Sequence, residues 1–149
     1  MFFPDKVRAN SEARRVLRPA GQYLVVTFNR LDRNPVTTAA EQAVAAMFPE
    51  DPPRYMERGP FSYADPAVIE NDLRAAGFTE IELETLDLSS RIDARDAAIG
   101  MVFGSPFRAE IERRDPTALA RASDAVAEAL RPFDGLDATI SAHLVTSTR

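Results

Sequence analysis

The stretch LRPAGQYLVVTF, Leu17 to Phe28, constrains the fold of this chain more than any other feature. It combines the end of a helix, a tight turn and a strand that is apolar on both of its faces. A strand of that kind normally lies inside a parallel sheet, where helices cover both faces. Only sixteen residues precede Leu17, which raises the question of where the rest of such a sheet lies.

Helix starts are easy to place, because four prolines each follow an Asp, Asn or Ser. Proline is favoured at the first position of a helix, and those residue types are favoured at the position before it. The pairs are Asn34-Pro35, Asp65-Pro66, Ser105-Pro106 and Asp115-Pro116. Apolar residues follow most of them at helical spacing, so each pair predicts the start of a helix.

The pattern predicts three strands that alternate with about six helices, which indicates the α/β class. The predicted order is helix 5–17, strand 22–28, helices near 35–48 and 66–76, strand 79–86, helices near 94–103, 106–114 and 116–131, and strand 137–147. The Pro-rich segments at 49–53 and 58–60 are predicted loops within a single domain, residues 1–149. In TEIELETL, Thr79 to Leu86, three glutamates alternate with other residues, which favours a solvated face over a metal or acid-base site.

Composition excludes several classes of function. The chain has no cysteine, which removes disulfides and thiolate nucleophiles. Its net charge is -5, and its basic residues form no stripe of the kind that binds nucleic acid. The longest apolar run without glycine, Ala43 to Phe48, is far short of the roughly 20 residues of a membrane span. The N-terminus lacks the features of a secretory signal, so a cytoplasmic protein is expected.

Few residues suggest catalysis or binding. No two glycines form a G-x-G pair, so the chain has neither a dinucleotide-binding fingerprint nor a phosphate loop. His143 is a candidate general base, although a histidine on a strand is more often structural. Asn29, Arg30 and Asn34 follow the carboxyl end of the first strand, the edge where open α/β sheets bind ligands. Asn34 has an alternative explanation as a helix cap.

Apolar and aromatic residues offer a second candidate site. Phe61, Tyr63, Met101, Phe103 and Phe107 could line a pocket for an apolar small molecule. Aromatic and methionine side chains at such spacing belong more often to a core than to a pocket. Phe61 and Phe107 are retained as candidate substrate-binding residues, together with His143.

Five segments, in this order along the chain, carry a resemblance to a known family. They are FFPDKVRANSEARRVLRPAGQYLVVTF at Phe2 to Phe28, RNP at Arg33 to Pro35, PFSYADPAVIENDLRAAGF at Pro60 to Phe78, GSPF at Gly104 to Phe107, and AHLVTSTR at Ala142 to Arg149. The set resembles the C-terminal half of class I S-adenosylmethionine-dependent methyltransferases, in the type 11 and ubiquinone-biosynthesis-like group. Ala20 and Asn10 depart from the family pattern, which has a glycine and an apolar residue at those positions.

The resemblance implies the C-terminal half of a Rossmann-like methyltransferase sheet, with three strands of which the last is antiparallel and central. It implies a truncated form that contributes the acceptor-substrate half and lacks the cofactor-binding half. S-adenosylmethionine would bind only if an N-terminal half or a partner chain were supplied, and the chain alone is expected to be inactive and without a cofactor. The alternative is a non-catalytic oligomeric module that holds an apolar small molecule.

Without the cofactor-binding half, the first strand would form an apolar edge of the sheet, which predicts a partner. An exposed strand edge with free backbone donors and acceptors tends to recruit another strand. We therefore expect a homo-oligomer or a partner chain bound through the strand Leu24–Phe28 or the helix 5–17. Neither nucleic acid nor membrane is an expected partner.

Overall fold

The three strands form one antiparallel sheet in the order β1-β3-β2, with β1 at Gln22–Phe28, β2 at Glu80–Arg91 and β3 at Asp137–Thr148. The computed structural model describes residues 1–149. Strand β3 pairs with β1 in a continuous antiparallel register in which Val25 lies opposite Val145. The mixed α/β class predicted from the sequence is confirmed, and the last strand is central and antiparallel to β1, as the resemblance implied for that strand.

Seven α-helices accompany the sheet, together with two short 3-10 helices. The α-helices are α1 at Lys6–Val16, α2 at Pro35–Met47, α3 at Tyr55–Arg58, α4 at Pro66–Ala75, α5 at Ala94–Phe103, α6 at Phe107–Arg114 and α7 at Leu119–Leu130. The chain divides into two compact units. Unit 1 comprises residues 1–30, 59–87 and 141–149, and unit 2 comprises residues 31–58 and 88–140.

Unit 1 packs helices α1 and α4 with the sheet. Helix α4 starts at Pro66, where the Asp65 side chain accepts a hydrogen bond from the Ala67 N–H, and it places Ile69 and Leu73 on one buried face. The ring of Phe78 stacks on Tyr23 with centroids 5.4 Å apart. These residues share a core with Val145 of β3 and with the partly buried side chains of Val25, Ile81 and Leu83. Burial of these apolar side chains is the main stabilising contribution in unit 1.

Unit 2 is helical, and α7 packs against α2 and α5. The buried residues of α7 recur at a spacing of four, which puts them on one face. The buried apolar residues are Ala122, Val126 and Leu130 of α7, Val36, Ala40 and Val44 of α2, Ala94, Ala98 and Val102 of α5, and Phe107 and Ile111 of α6. Alanines at these contacts allow the helix axes to approach closely.

The structure corrects three details of the predicted elements. Helix α3 was not predicted: it lies between the two Pro-rich loops and ends at Arg58, the first residue of the second one, so there are seven α-helices rather than about six. Helix α7 begins at Leu119 and not at 116, because Asp115 accepts hydrogen bonds from the N–H and hydroxyl of Thr117 in a separate turn. Strand β2 continues five residues beyond the predicted end, to Arg91.

Candidate functional site

Asn29, directly after the carboxyl end of β1, is hydrogen-bonded to β3. The Asn29 side-chain amide donates to the Ser141 hydroxyl oxygen over 3.0 Å, and the Asn29 backbone N–H donates to the Ser141 carbonyl, also over 3.0 Å. Its side-chain oxygen accepts from the backbone N–H of Arg30 at 2.7 Å. Strand pairing therefore fixes the position of the Asn29 amide, and the Arg30 side chain beside it is exposed.

Phe61 lies against the same end of β1. Its ring stacks on Phe28 with centroids 4.7 Å apart and an interplanar angle of 21°, and the residue is 8% exposed. A turn in which Ser62 donates its N–H and hydroxyl to the Gly59 carbonyl shapes the segment that carries Phe61. The structure thus places two sequence-predicted residues, Asn29 and Phe61, at one end of β1.

His143 lies on β3 and is 2% exposed. Its Nε2 is 3.0 Å from the Ala64 carbonyl oxygen and its Nδ1 is 2.9 Å from the Thr85 hydroxyl. Because a carbonyl oxygen can only accept, this network assigns the proton of the neutral ring to Nε2, and Nδ1 accepts from Thr85. Both ring nitrogens are hydrogen-bonded within the protein, so His143 connects β3 to β2 and to the loop at Ala64. A ligand could bond to the imidazole only after one of these bonds opened.

Two further residues complete a polar row on one face of β1 and β3. We use the name polar row for Thr27, Asn29, Ser141 and His143. Thr27 lies opposite His143 in the strand register, and its hydroxyl is fully buried without a hydrogen-bond partner. Ser141 is fully buried as well. A buried hydroxyl without a partner costs about 1–3 kcal/mol, so a ligand atom or water that reached Thr27 would be favoured there.

The candidate residues Asn34 and Phe107 belong to unit 2. Asn34 is 3% exposed and occupies the N-cap position of α2, but its side chain makes no capping hydrogen bond to the helix. Its carbonyl oxygen accepts from the N–H and the hydroxyl of Thr38 instead. Phe107 is fully buried, and its ring stacks on Tyr55 with centroids 6.5 Å apart. Phe107 therefore contributes to the core of unit 2.

Sequence reasoning missed Thr27, Ser141 and Thr85. The period of two along β1 does place Thr27 on the same face as Asn29, and the same period along β3 places Ser141 with His143. The two pairs meet only through the register of β1 against β3, which neither strand specifies by itself. Thr85 is exposed, and only its contact with His143 makes it part of the site.

A small cavity of about 100 Å³ lies in unit 1. Its lining includes Lys6, Asn10, Tyr23, Tyr63 and Leu73. The Tyr63 hydroxyl donates to Asp72 at 2.9 Å, and burial together with this carboxylate raises the pKa of Tyr63 above its usual value. Small-molecule sites usually enclose about 300–1,000 Å³, so this cavity is too small to hold a cofactor-sized ligand.

Two comparisons with known proteins assign the chain to no family. No model of a known protein family matches the chain, and no curated protein matches it. None of the helices has both the length and the apolar character required to cross a membrane. No group of three or more His, Asp or Glu side chains is arranged to hold a metal ion.

Proposed function

We propose that this chain is the acceptor-substrate half of a class I S-adenosylmethionine-dependent methyltransferase and is inactive without a cofactor-binding half. The observation that carries the proposal is the strand order β1-β3-β2 with β3 central and antiparallel to β1. Five quoted segments that resemble this family follow one another along the same three strands and their helices. Fold alone does not establish function, so the proposal also rests on the residues at the end of β1.

The residues at the carboxyl end of β1 suit a binding site for the methyl acceptor of such an enzyme. Open α/β sheets bind ligands beyond the carboxyl ends of their strands, and Asn29 presents a fixed amide there. The ring of Phe61 adds an apolar surface at the same end of β1, where it stacks on Phe28. Methyl transfer from a sulfonium depends mainly on holding two reactants in line. We assign Asn29 and Phe61 to binding and orienting the methyl acceptor.

The residues of this chain do not fit the cofactor. A nucleotide cofactor is normally cradled by glycines between the end of a strand and the start of the next helix. Here the segments from β1 to α2 and from β2 to α5 contain no glycine. The two glycines with positive φ, Gly77 and Gly135, lie in turns that lead into strands. No catalytic step is therefore derived for this chain by itself.

The test starts from the natural gene product. Intact-mass measurement from native cells and the reading frame upstream of Met1 show whether the product exceeds 16.4 kDa. We expect a larger product, by roughly 100 residues, that binds S-adenosylmethionine in calorimetry, whereas the 149-residue chain does not bind it. In the larger product, Asn29→Ala and Phe61→Ala should keep cofactor binding and lose transfer of a labelled methyl group to extract acceptors. Glu82→Ala, at an exposed position on β2, is the control and should change neither property.

Two results would overturn the proposal. The first is a larger product that does not bind S-adenosylmethionine. The second is a natural product of 16.4 kDa that transfers no labelled methyl group when it is combined with native extract.

A non-catalytic oligomeric module is the second candidate. The observation that favours it is the exposure of Leu24 and Val26 on β1, which are 60% and 53% exposed. The pocket for an apolar ligand that the sequence suggested has less support, because Tyr63 belongs to the core of unit 1 and Phe107 to the core of unit 2. The second result above would favour this candidate.

A further inference from the structure

Strand β1 directs half of its backbone groups away from the sheet. The Asn29 N–H donates to Ser141, and the Arg149 N–H donates to the Gly21 carbonyl, so positions 29 and 21 face β3. Successive residues of an antiparallel strand point their N–H and C=O groups to opposite sides, and the register from 22 to 28 has no bulge. The backbone N–H and C=O groups of Tyr23, Val25 and Thr27 therefore also point towards β3. Gln22, Leu24, Val26 and Phe28 turn their backbone groups to the side of β1 where the sheet has no further strand.

The side chains of β1 do nothing to block that edge. Natural edge strands usually carry charges, prolines or bulges that prevent pairing. The sequence QYLVVTF of β1 has none of these, and two of its apolar residues, Leu24 and Val26, are more than half exposed. The other edge strand, β2, carries Glu80, Glu82 and Glu84, which are all exposed. The two edges of one sheet thus differ in the property that governs strand addition.

We propose that β1 of this chain, when no cofactor-binding half covers its outer edge, pairs antiparallel with β1 of a second copy, about a twofold axis at Val25. In this register Leu24 lies opposite Val26 of the second copy, and Gln22 lies opposite Phe28. Each of these pairs exchanges two backbone hydrogen bonds, because all four residues direct their N–H and C=O groups outward. The residues with outward backbone groups, at positions 22, 24, 26 and 28, lie opposite one another in this register. An identical strand can therefore form a hydrogen bond to every outward N–H and C=O group from 22 to 28.

The same register buries the exposed apolar side chains. Leu24 and Val26 point to one face of the sheet, and the twofold axis places them beside Val26 and Leu24 of the second copy. A symmetric interface of this kind uses one patch on both molecules and closes at a dimer. A pair of seven-residue strands is small beside the roughly 1,200–2,000 Å² of a standard interface. We therefore expect reversible association with a dissociation constant in the micromolar range.

Sedimentation and hydrogen exchange at several concentrations test the pairing. From about 1 to about 100 micromolar, the weight-average mass should rise from that of one 16.4 kDa chain towards that of two. Over the same range, the amides of Leu24, Val26 and Phe28 should become protected, whereas those of Tyr23, Val25 and Thr27 are protected throughout. A chain that stays monomeric overturns the proposal, as does a dimer in which the first three amides exchange freely.

Matched variants separate edge pairing from a general change of charge. Val26→Lys places a lysine on the unguarded edge, and Glu82→Lys places one on the charged edge. We expect Val26→Lys to remain monomeric at about 100 micromolar, and Glu82→Lys to associate like the wild type. Val26→Pro, which removes an outward N–H without touching the bonds to β3, should also be monomeric with an unchanged circular dichroism spectrum. Association that persists in both Val26 variants overturns the proposal, and neither result depends on cofactor binding.

Discussion

Ala20 has a backbone conformation that suits glycine better than alanine. Its φ is 60°, in the left-handed region, at the turn between α1 and β1. That region costs a residue with a Cβ about 1–2 kcal/mol. Glycine avoids this cost, but it also gives the unfolded chain more conformational freedom, which offsets part of the gain in stability. We expect Ala20→Gly to raise the free energy of unfolding by about 0.5–1 kcal/mol in urea titrations. The family that the sequence resembles has a glycine at this position.

An alanine with ordinary geometry provides the control. Ala75 is an exposed residue of α4, so Ala75→Gly makes the same chemical change within a helix. That change should lower the free energy of unfolding by roughly 0.5–1 kcal/mol. Equal effects of the two substitutions would show that the left-handed φ of Ala20 carries no strain.

Glu41 is a buried carboxylate that should make stability depend on pH. It is 6% exposed and accepts hydrogen bonds from the backbone N–H groups of Met56 at 2.7 Å and Glu57 at 3.2 Å. Burial raises the pKa of Glu41, the two hydrogen bonds oppose this, and the charges of Glu57 and Glu110 add to the increase. A raised pKa in the folded state means that this group's stabilising contribution is fully present below the unfolded pKa and is lost as pH rises through the folded pKa.

The substitution Glu41→Gln removes that titration and keeps an acceptor oxygen for the N–H groups. The difference in unfolding free energy between Glu41→Gln and wild type should therefore shift in favour of the variant as pH rises from 4 to 7. Glu57→Gln, at an exposed neighbour, should give a smaller shift in urea titrations at the same pH values. A difference that stays constant between pH 4 and pH 7 would contradict the assignment.

Single residues also show where sequence reasoning reaches its limit. The capping role of Asp65 follows from local chemistry, and the structure confirms it. Asn10 departs from the apolar residue expected in its helix, and its side-chain oxygen accepts a hydrogen bond from the Tyr23 hydroxyl at 3.2 Å. Tyr23 lies on β1, so this reason is visible only after the helix and the strand are packed together.

Helix α6 holds the Pro-rich segment of unit 2 through Arg114. The Arg114 side chain is only 9% exposed, and its guanidinium donates to the Asp51 carboxylate at 3.0 Å and to the Glu110 carbonyl at 2.7 Å. Hydrogen bonds to charged groups contribute about 1.5–3 kcal/mol. We expect Arg114→Gln to lower the free energy of unfolding by about 2 kcal/mol, measured in urea.

Two comparisons identify the cause of that loss. Arg113 is exposed on the same helix, and Arg113→Gln should change the free energy of unfolding by less than about 0.5 kcal/mol. Arg114→Lys keeps the charge but loses the fork that reaches two acceptors, so it should lose most of the stability as well. A fully stable Arg114→Lys variant would show that charge matters there and geometry does not.

The elements follow the sequence closely where local signals are strong. Strand β1 has the predicted bounds, and α2 and α4 start at the predicted prolines. The start of α7 was wrong because Asp115 closes a turn with Thr117, and the helix begins only after it. The end of β2 was wrong because the apolar positions change from odd to even residue numbers between Leu83 and Leu86, although the strand continues to Arg91. Hydrogen bonding to a neighbouring strand, here β3, can extend a strand past the residues whose own pattern favours it.

For the whole molecule, the sequence predicted the strand order better than the site. The strand order was predicted from segments that resemble a known family in their order along the chain. The polar row depends instead on the register of two strands that lie far apart in the sequence. Asn29 was named from its place after the first strand and Phe61 as an aromatic residue of a candidate pocket, and both lie at the end of β1. Thr27 and Ser141 carry no signature of their own, because isolated hydroxyls on strands are common.

Pairing of β1 with a second copy should couple the stability of the molecule to its concentration. If the folded state is a dimer and the unfolded chain is a monomer, mass action favours the folded state as concentration rises. Above the dissociation constant, the thermal midpoint should increase by about 2 °C for each tenfold increase in concentration, for a chain of this size. Val26→Lys should have a midpoint that does not change with concentration, and Glu82→Lys should follow the wild type. Calorimetry of the three proteins over a hundredfold range makes this comparison, and a wild-type midpoint that is constant over that range would contradict the strand-paired dimer.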